Sequence, residues 1–506
     1  MSTPPVPISP EASNPLAPAW LRQPSDANAL SAGLWPASTM RNSTGEVLIG
    51  GMTATDLATQ YGTPLYVIDE ADARTRAADL RATFEREFAR VGTTVGIYYA
   101  GKAFLSIEVA RWMVEAGLNI DICSGGELAV ALAAGVDPGR LGFHGNNKSL
   151  AEIDEATRIG LGSIVVDSAV EIDRIAAAAT RHGRVQAVRL RVNSGVHAHT
   201  HEFLATAHED QKFGITLEDA PTLVAAIRAE PALRFLGLHC HIGSQIFGAD
   251  GFAESASRLL AVHAALLHGG PVPELNLGGG FGIAYVDSDT PSTLHELATR
   301  LADIVAVGCA ERGIPLPRIA FEPGRVIIGP AGLTLYTVGT TKAVEVAQPA
   351  VSVTAPDASS TRLYVSVDGG MSDNVRPALY GADYAVRLAN RVSSADPALV
   401  RIAGKHCESG DIVVNADYLP GDVTPGDLVA VPATGAYCWS LSNNYNYQGR
   451  APVIAVKNAS ARVLVRGETI ADLLARDAGS LVSSTGTATI GTATTSRPTP
   501  TMDTPR

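Results

Sequence analysis

The chain has 506 residues, 46% of them hydrophobic and 18% charged, enough apolar material for a large folded core and, by length, two domains. A net charge of −12 argues against nucleic acid as the main partner. Five scattered cysteines without a CxxC pair exclude a disulfide framework and a cysteine zinc site; with no membrane-spanning stretch and no signal-peptide pattern, they point to a reducing cytoplasm.

Taken in chain order, residues 1–40 are rich in Pro, Ala and Ser and read as a loose extension. Residues 47–68 read as strands around a short helix, the first part (41–74) of a β-domain. Between 95 and 325, short apolar, β-branched runs alternate with helical stretches. The runs are 95–99, 118–122, 141–143, 163–166, 187–192, 235–239, 274–277 and 319–322. Ile107, Ala110 and Trp112 to Val114, followed by Gly117, mark a helix stopped by glycine. Eight strand–helix units predict a (β/α)₈ barrel over 75–332, with a doubly wound open sheet as the alternative. After about residue 332 the long helical patterns end. Strand-like runs at 333–345, 362–367, 400–403, 411–414, 427–431 and 453–465 predict an antiparallel β-sandwich or barrel over 333–476. The segment before the barrel joins it, so the barrel is inserted in the β-domain. Residues 348–360 read as a surface loop, and 477–506 as a disordered Ser/Thr-rich tail.

In such a barrel the residues just after each strand face one site, and the unusual residues of this chain fall there. Lys102 follows the first strand. A lysine stranded beside an apolar interior is costly as an ammonium; made neutral, it is a nucleophile able to form a Schiff base, above all with pyridoxal phosphate. A lone lysine in this position more often snorkels to the surface. Its company changes that reading. The second strand ends in Asp121, Cys123 and Glu127, the third in His144-Gly145-Asn146-Asn147-Lys148, and the sixth in His239-Cys240-His241-Ile242-Gly243-Ser244. The seventh ends in Gly278-Gly279-Gly280 and the eighth in Glu322-Pro323-Gly324-Arg325. His239 and His241 share a strand face, but no third ligand completes a tetrahedral set, so no metal is expected. The three glycines allow backbone N–H groups to approach a phosphate, and Gly324 and Arg325 add donors and charge. His241 can stack on a pyridine ring, and Glu322 can hold the ring nitrogen protonated.

These motifs, in this order, together with Cys407-Glu408-Ser409-Gly410-Asp411 and Gly435-Ala436-Tyr437, resemble the fold-type III pyridoxal-phosphate decarboxylases. Within them the chain is most similar to the diaminopimelate decarboxylases of actinobacterial type, from about residue 47 to 474. The resemblance implies an alanine racemase-like barrel with its β-domain and bound pyridoxal 5'-phosphate. It implies the decarboxylation of meso-2,6-diaminopimelate to L-lysine and CO₂, the last step of lysine biosynthesis. It gives Lys102, Asp121, His241, Ser244, Gly278, Gly279, Gly280, Glu322, Gly324, Arg325 and Tyr437 to the cofactor. Arg325, Arg376, Tyr380, Glu408 and Tyr437 fall to the substrate, and Cys407 becomes the proton donor. It further implies a head-to-tail homodimer in which Cys407 and Glu408 serve the other subunit's site. An acid beside the ring nitrogen points to decarboxylation rather than racemisation. Two arginines opposite a distal carboxylate speak against an ornithine- or arginine-type decarboxylase of the same fold. The presence of both Lys102 and Cys407 speaks against an inactive homologue.

Overall fold

The structure is a computed structural model that describes residues 14–196, 212–347 and 359–479. Eight parallel strands close into a barrel: Val95–Ala100, Asn119–Ile122, Leu141–Phe143, Ser163–Val166, Gln186–Arg191, Leu233–His239, Glu274–Asn276 and Arg318–Phe321. The last strand pairs with the first, Ile319 opposite Val95 and Phe321 opposite Ile97, which disposes of the open sheet. The strands are buried along nearly their whole length, as continuous β-branched and apolar runs require when helices cover the outside. Helix Ile107–Glu115 shows how the local sequence sets these covers. The Ser106 side chain accepts from the Val109 N–H at its start, Gly117 follows its end at φ +86°, and Val109, Ala110, Trp112 and Met113 form the buried face. Each such large side chain contributes roughly 1.5–3 kcal/mol on burial. Capping boxes at Ser149/Glu152 and Thr293/Glu296 start two further helices, Leu150–Ile159 and Leu294–Glu311.

The barrel interior carries a buried polar floor. Arg189 donates to Glu274 at 2.5 Å and to the Tyr98 hydroxyl at 2.8 Å, and also donates to Ser163. Glu274 receives Arg318 as well, at 3.2 Å. Residues two further along these strands, among them Arg191 and Asn276, point the same way one layer higher, toward the carboxyl ends of the strands.

The second sheet is built on the sixteen-residue strand Gly332–Ala347. It pairs with Ser359–Val367, with Leu428–Pro432 and with Leu65–Asp69, changing register between Val338 and Thr340. Leu65–Asp69 precedes the barrel in sequence and lies between Gly332–Ala347 and Val453–Lys457, so the barrel is inserted between neighbouring strands of one sheet. The run expected at 453–465 is a hairpin of Val453–Lys457 and Ser460–Val465. The antiparallel expectation holds except at two pairings: Leu65–Asp69 with Val453–Lys457 and Ser359–Val367 with Pro397–Ala403 are parallel.

The expected loose extension 1–40 is instead packed over residues 14–40. Leu34 and Trp35 are buried with Val47, Leu65, Leu333 and Ile454 in one apolar cluster, while Leu16, Ala17 and Leu21 cover Leu399, Ala416 and Tyr418. Arg387 donates to the Ala29 carbonyl at 2.8 Å and Arg362 to that of Leu16 at 2.8 Å. The composition reads as loose because apolar anchors are sparse, yet a few suffice when a preformed sheet receives them. Residues 1–13, most of the expected loop (348–358) and most of the expected tail (480–506) lie outside the described residues. From Glu468 onward the chain forms a separate unit, in which Thr469 and Asp472 cap a short helix, Ile470–Ala475.

Candidate active site

At the carboxyl ends of the barrel strands lies a cavity of ≈ 270 Å³, lined by Lys102, Asp121, Cys123, His144, Arg191, His241 and Glu322 among others. The strand ends thus bring together the residues that the sequence placed there. Around Glu322 the site is an ionic cluster. One carboxylate oxygen accepts from the Asn276 amide at 2.6 Å and lies 3.3 Å from His144 Nε2; the other faces His239 Nε2 at 3.0 Å. His144 Nε2 is also 3.2 Å from Asp121, though aligned for a hydrogen bond with neither acid. Burial opposes charge on Glu322, but His144 and His239 outweigh it and hold the carboxyl well below its usual range. For His144, burial is overcome by Glu322 and Asp121, which push it up to about 9. Burial wins at His239, which falls to about 4, and at Asp121, which burial and Glu322 raise to about 6. An anionic Glu322, a protonated His144 and a neutral His239 follow at neutral pH. The donor atoms of His144, His239 and Glu322 lie within 4.8 Å of one another, a spacing a metal ion also accepts.

Lys102 departs from the reasoning that first singled it out. Its side chain is exposed to the cavity rather than sealed in apolar packing. Burial by surrounding protein lowers its pKa, but Tyr437, Cys123 and Glu322 more than compensate, and the ammonium is held above its ordinary value. His241 is the opposite case: burial, then the cations Lys102 and Arg191, keep it well below its usual range and neutral. The Gly279 N–H donates to His241 Nδ1 at 3.2 Å, which leaves the proton on Nε2 and orients the ring.

The glycine run also needs a correction. The Gly278 N–H is taken by Asn276 Oδ1 and that of Gly279 by His241, so neither is available to a phosphate. A Cβ at Gly278 would strike the Cys240 carbonyl, at Gly279 that of Glu322 and at Gly280 that of Gly243. These glycines are demanded by the close approach of neighbouring loops, and Gly278 (φ +70°) and Gly280 (φ +106°) also by their backbone. The donors that remain are the N–H groups of Gly280, Gly324 and Arg325, which meet no protein acceptor among the described residues. Gly280 lies against the carbonyl of Gly243, next to Ser244, whose hydroxyl accepts from the Arg325 side chain at 2.7 Å, while Arg325 Nε is buried without a partner. A lysine open to the cavity, a neutral imidazole, a buried anionic carboxylate and a set of unengaged N–H groups fit pyridoxal phosphate: aldehyde, ring face, ring nitrogen and phosphate in turn.

Beyond this set lie two buried guanidiniums. Arg325 donates to the Tyr285 hydroxyl, and its Cζ sits 4.6 Å from the Tyr437 ring centroid. Tyr437 is tied to the lysine loop by its N–H, which donates to the Ala103 carbonyl at 2.8 Å. Arg376, at the start of the short helix Arg376–Tyr380, donates to the Tyr384 hydroxyl and lies 4.5 Å over Tyr285. Among the described residues neither guanidinium has an acid within ion-pair distance. Tyr380 closes that helix and is half-buried. Cys407 and Glu408 do not join the cavity of their own chain; they stand on an exposed turn. Asp411 fixes that turn by accepting from the N–H groups of His406 at 2.7 Å and Met371 at 2.5 Å. Sequence reasoning missed Asn276, Tyr285 and Tyr384. Asn276 had a signal, a polar residue two places after Glu274 and so on the same strand face; the two tyrosines, in irregular loops, had none.

Comparison with known proteins agrees with this geometry. Residues 78–329 match the family described as pyridoxal-dependent decarboxylase, pyridoxal binding domain. The diaminopimelate decarboxylase of Mycobacterium tuberculosis (strain ATCC 25618 / H37Rv) is 50% identical over 453 residues, 88% of this chain and 98% of that protein. That of Bacillus subtilis is 41% identical over 444 residues, 87% of this chain and 97% of that protein. The crystal structure of diaminopimelate decarboxylase from M. jannaschii in co-complex with L-lysine superposes with a TM-score of 0.78 at 29% identity, covering 87% of this chain and 98% of that one. The chain therefore belongs to the diaminopimelate decarboxylases, within the pyridoxal-dependent decarboxylase family.

Proposed function

We propose that this chain decarboxylates meso-2,6-diaminopimelate to L-lysine and CO₂, the last step of lysine biosynthesis. The observation that carries the substrate assignment is the pair of buried guanidiniums, Arg325 and Arg376, with tyrosine hydroxyls but, among the described residues, no acid at ion-pair distance. Two desolvated cations without a counter-ion are costly unless an anionic ligand completes them, and the distal carboxylate of diaminopimelate is such a ligand; ornithine and arginine lack one.

Pyridoxal phosphate, when bound, supplies an aldehyde that takes up an amine and a ring that accepts the electron pair left as CO₂ departs. The residues have separate tasks around it. Lys102 holds the aldehyde carbon. Glu322, kept anionic by His144 and His239, holds a proton at the ring nitrogen. Neutral His241 covers the ring face. Ser244 and the N–H groups of Gly280, Gly324 and Arg325 hold the phosphate. Asp121 stands behind His144 and tunes the cluster. Tyr437 and Tyr380 line the substrate's path toward Arg325 and Arg376.

Cys407 returns a proton to the carbon that lost CO₂, and Glu408 pairs with the distal ammonium, both reaching the site of a second copy in a homodimer. The exposed but anchored turn that carries them supports this arrangement. A cytoplasmic location fits the five free thiols, and no described helix is long and apolar enough to cross a membrane. The test is CO₂ release by the purified protein with pyridoxal phosphate from meso-diaminopimelate, ornithine and arginine. Release from diaminopimelate alone is expected; release from ornithine instead refutes the assignment.

A further inference from the structure

Beside the two guanidiniums stand two tyrosines that make no other evident contribution to the chemistry. Tyr285 comes from the loop after the seventh barrel strand, Tyr384 from the β-domain segment before strand Arg387–Leu388. Their rings meet edge to face at 5.0 Å, and the Ala385 N–H donates to the Tyr285 carbonyl at 3.3 Å, so the two loops are fastened across the domain junction. Arg325 belongs to the barrel and Arg376 to the β-domain. Their Cζ atoms lie 5.7 and 4.5 Å from the Tyr285 centroid, and Arg376 is 5.5 Å from that of Tyr384. Each hydroxyl accepts from one guanidinium, Tyr285 from Arg325 and Tyr384 from Arg376.

The choice of tyrosine has a physical logic. A buried guanidinium needs an acceptor and a polarisable neighbour, and an acidic residue would supply both. An acid would also neutralise the cation and occupy the fork that a ligand carboxylate needs. A phenol orients the guanidinium through one N–H, offers its ring to the charge and leaves the net charge in place. With Arg325 held through Nη1 by Tyr285 and through Nη2 by Ser244, Nε remains buried and unpartnered.

We propose that Tyr285 and Tyr384 are positioning residues that set distal-carboxylate specificity, orienting Arg325 and Arg376 without quenching either charge. This rests on the reading that the two arginines receive that carboxylate.

Tyr285→Phe and Tyr384→Phe keep the rings and remove the acceptors. In the holoenzyme, KM for meso-diaminopimelate should rise about 10-fold in each, the loss of one hydrogen bond to a charged group, with kcat changed less than about 2-fold. The dissociation constant of cadaverine, the five-carbon diamine that has no carboxylate, read from the change it produces in cofactor absorbance, should stay within about 2-fold. A structural role alone would weaken both ligands alike. Equal weakening, an unchanged KM in both variants, or failure of both to fold overturns the proposal. Arg376→Lys separates it from the reading beneath: an unchanged diaminopimelate KM there refutes the arginine assignment, whereas a raised KM there with none in the Phe variants refutes the tyrosine proposal alone.

Discussion

Replacing Lys148 by methionine removes the ammonium that ties the third strand-end loop to the fourth strand. The Lys148 side chain is 1% exposed and that of Glu171 2%, with Nζ 3.0 Å from the carboxylate. Nζ also donates to the carbonyls of Gly145 at 2.6 Å and Val165 at 2.7 Å. At an effective dielectric constant of 20, two unit charges at that separation attract by about 5 kcal/mol, most of it offset by desolvation of both groups. Removing only one partner leaves Glu171 buried and charged, and the expected cost is about 3–5 kcal/mol. The Asp167 N–H, which donates to Glu171 at 2.8 Å, offsets only part of it. Urea unfolding of the holoenzyme, followed by circular dichroism and by cofactor absorbance, measures it. Because Gly145 lines the cavity, the cofactor signal should be lost at lower urea than the backbone signal. The double variant with Glu171→Gln should recover much of the loss, since it removes the stranded charge. A Lys148→Met protein within about 1 kcal/mol of the parent would refute the reasoning.

His144→Gln should have a pH-dependent cost. Because the folded pKa is raised to about 9 from an ordinary value near ~6.5, the stabilisation, gross and about 3 kcal/mol, is full below pH ~6.5 and vanishes as pH rises through about 9. Urea midpoints of parent and variant without cofactor should therefore differ at pH ~6 and converge at pH ~9.5; an equal gap at both would contradict the ionic cluster. If sites are shared between subunits, mixing inactive Lys102→Ala and Cys407→Ala proteins after mild dissociation should restore about a quarter of parental activity, half of random dimers each carrying one intact site; no recovery would place Cys407 elsewhere. Deleting residues 1–22 uncovers Leu399, Ala416 and Tyr418 and should cost about 2–3 kcal/mol; an unchanged thermal midpoint would show that this segment adds nothing.

The barrel was legible because its strands are short, largely apolar runs separated by helical stretches, and six of them end in residues of special chemistry. Lys102, His241 and Glu322 could be placed at one end from their order alone. What resisted reading depends on partners distant in sequence. The charge state of Lys102 is set by Tyr437 and Cys123, not by its own strand. The glycine run was legible as a close approach, but the partner turned out to be neighbouring backbone. Leu34 and Trp35 lie in a stretch whose composition resembles a linker, and only the sheet beneath makes them a core. Tyr285 and Tyr384 sit in irregular loops with no periodicity, so nothing in their surroundings announces a role.

The interlocking of Gly278, Gly279 and Gly280 with the loops ending the sixth and eighth strands reaches beyond the site. Because each glycine is sealed by another loop's carbonyl, these three loops have no independent hinge and open together or not at all. Their amides should therefore share one hydrogen-exchange rate, and a systematic substitution survey should find one continuous intolerant arc across the sixth, seventh and eighth loops. A small molecule held by that arc is gripped by a rigid half-ring, and its exchange with solvent is left to the opposite half.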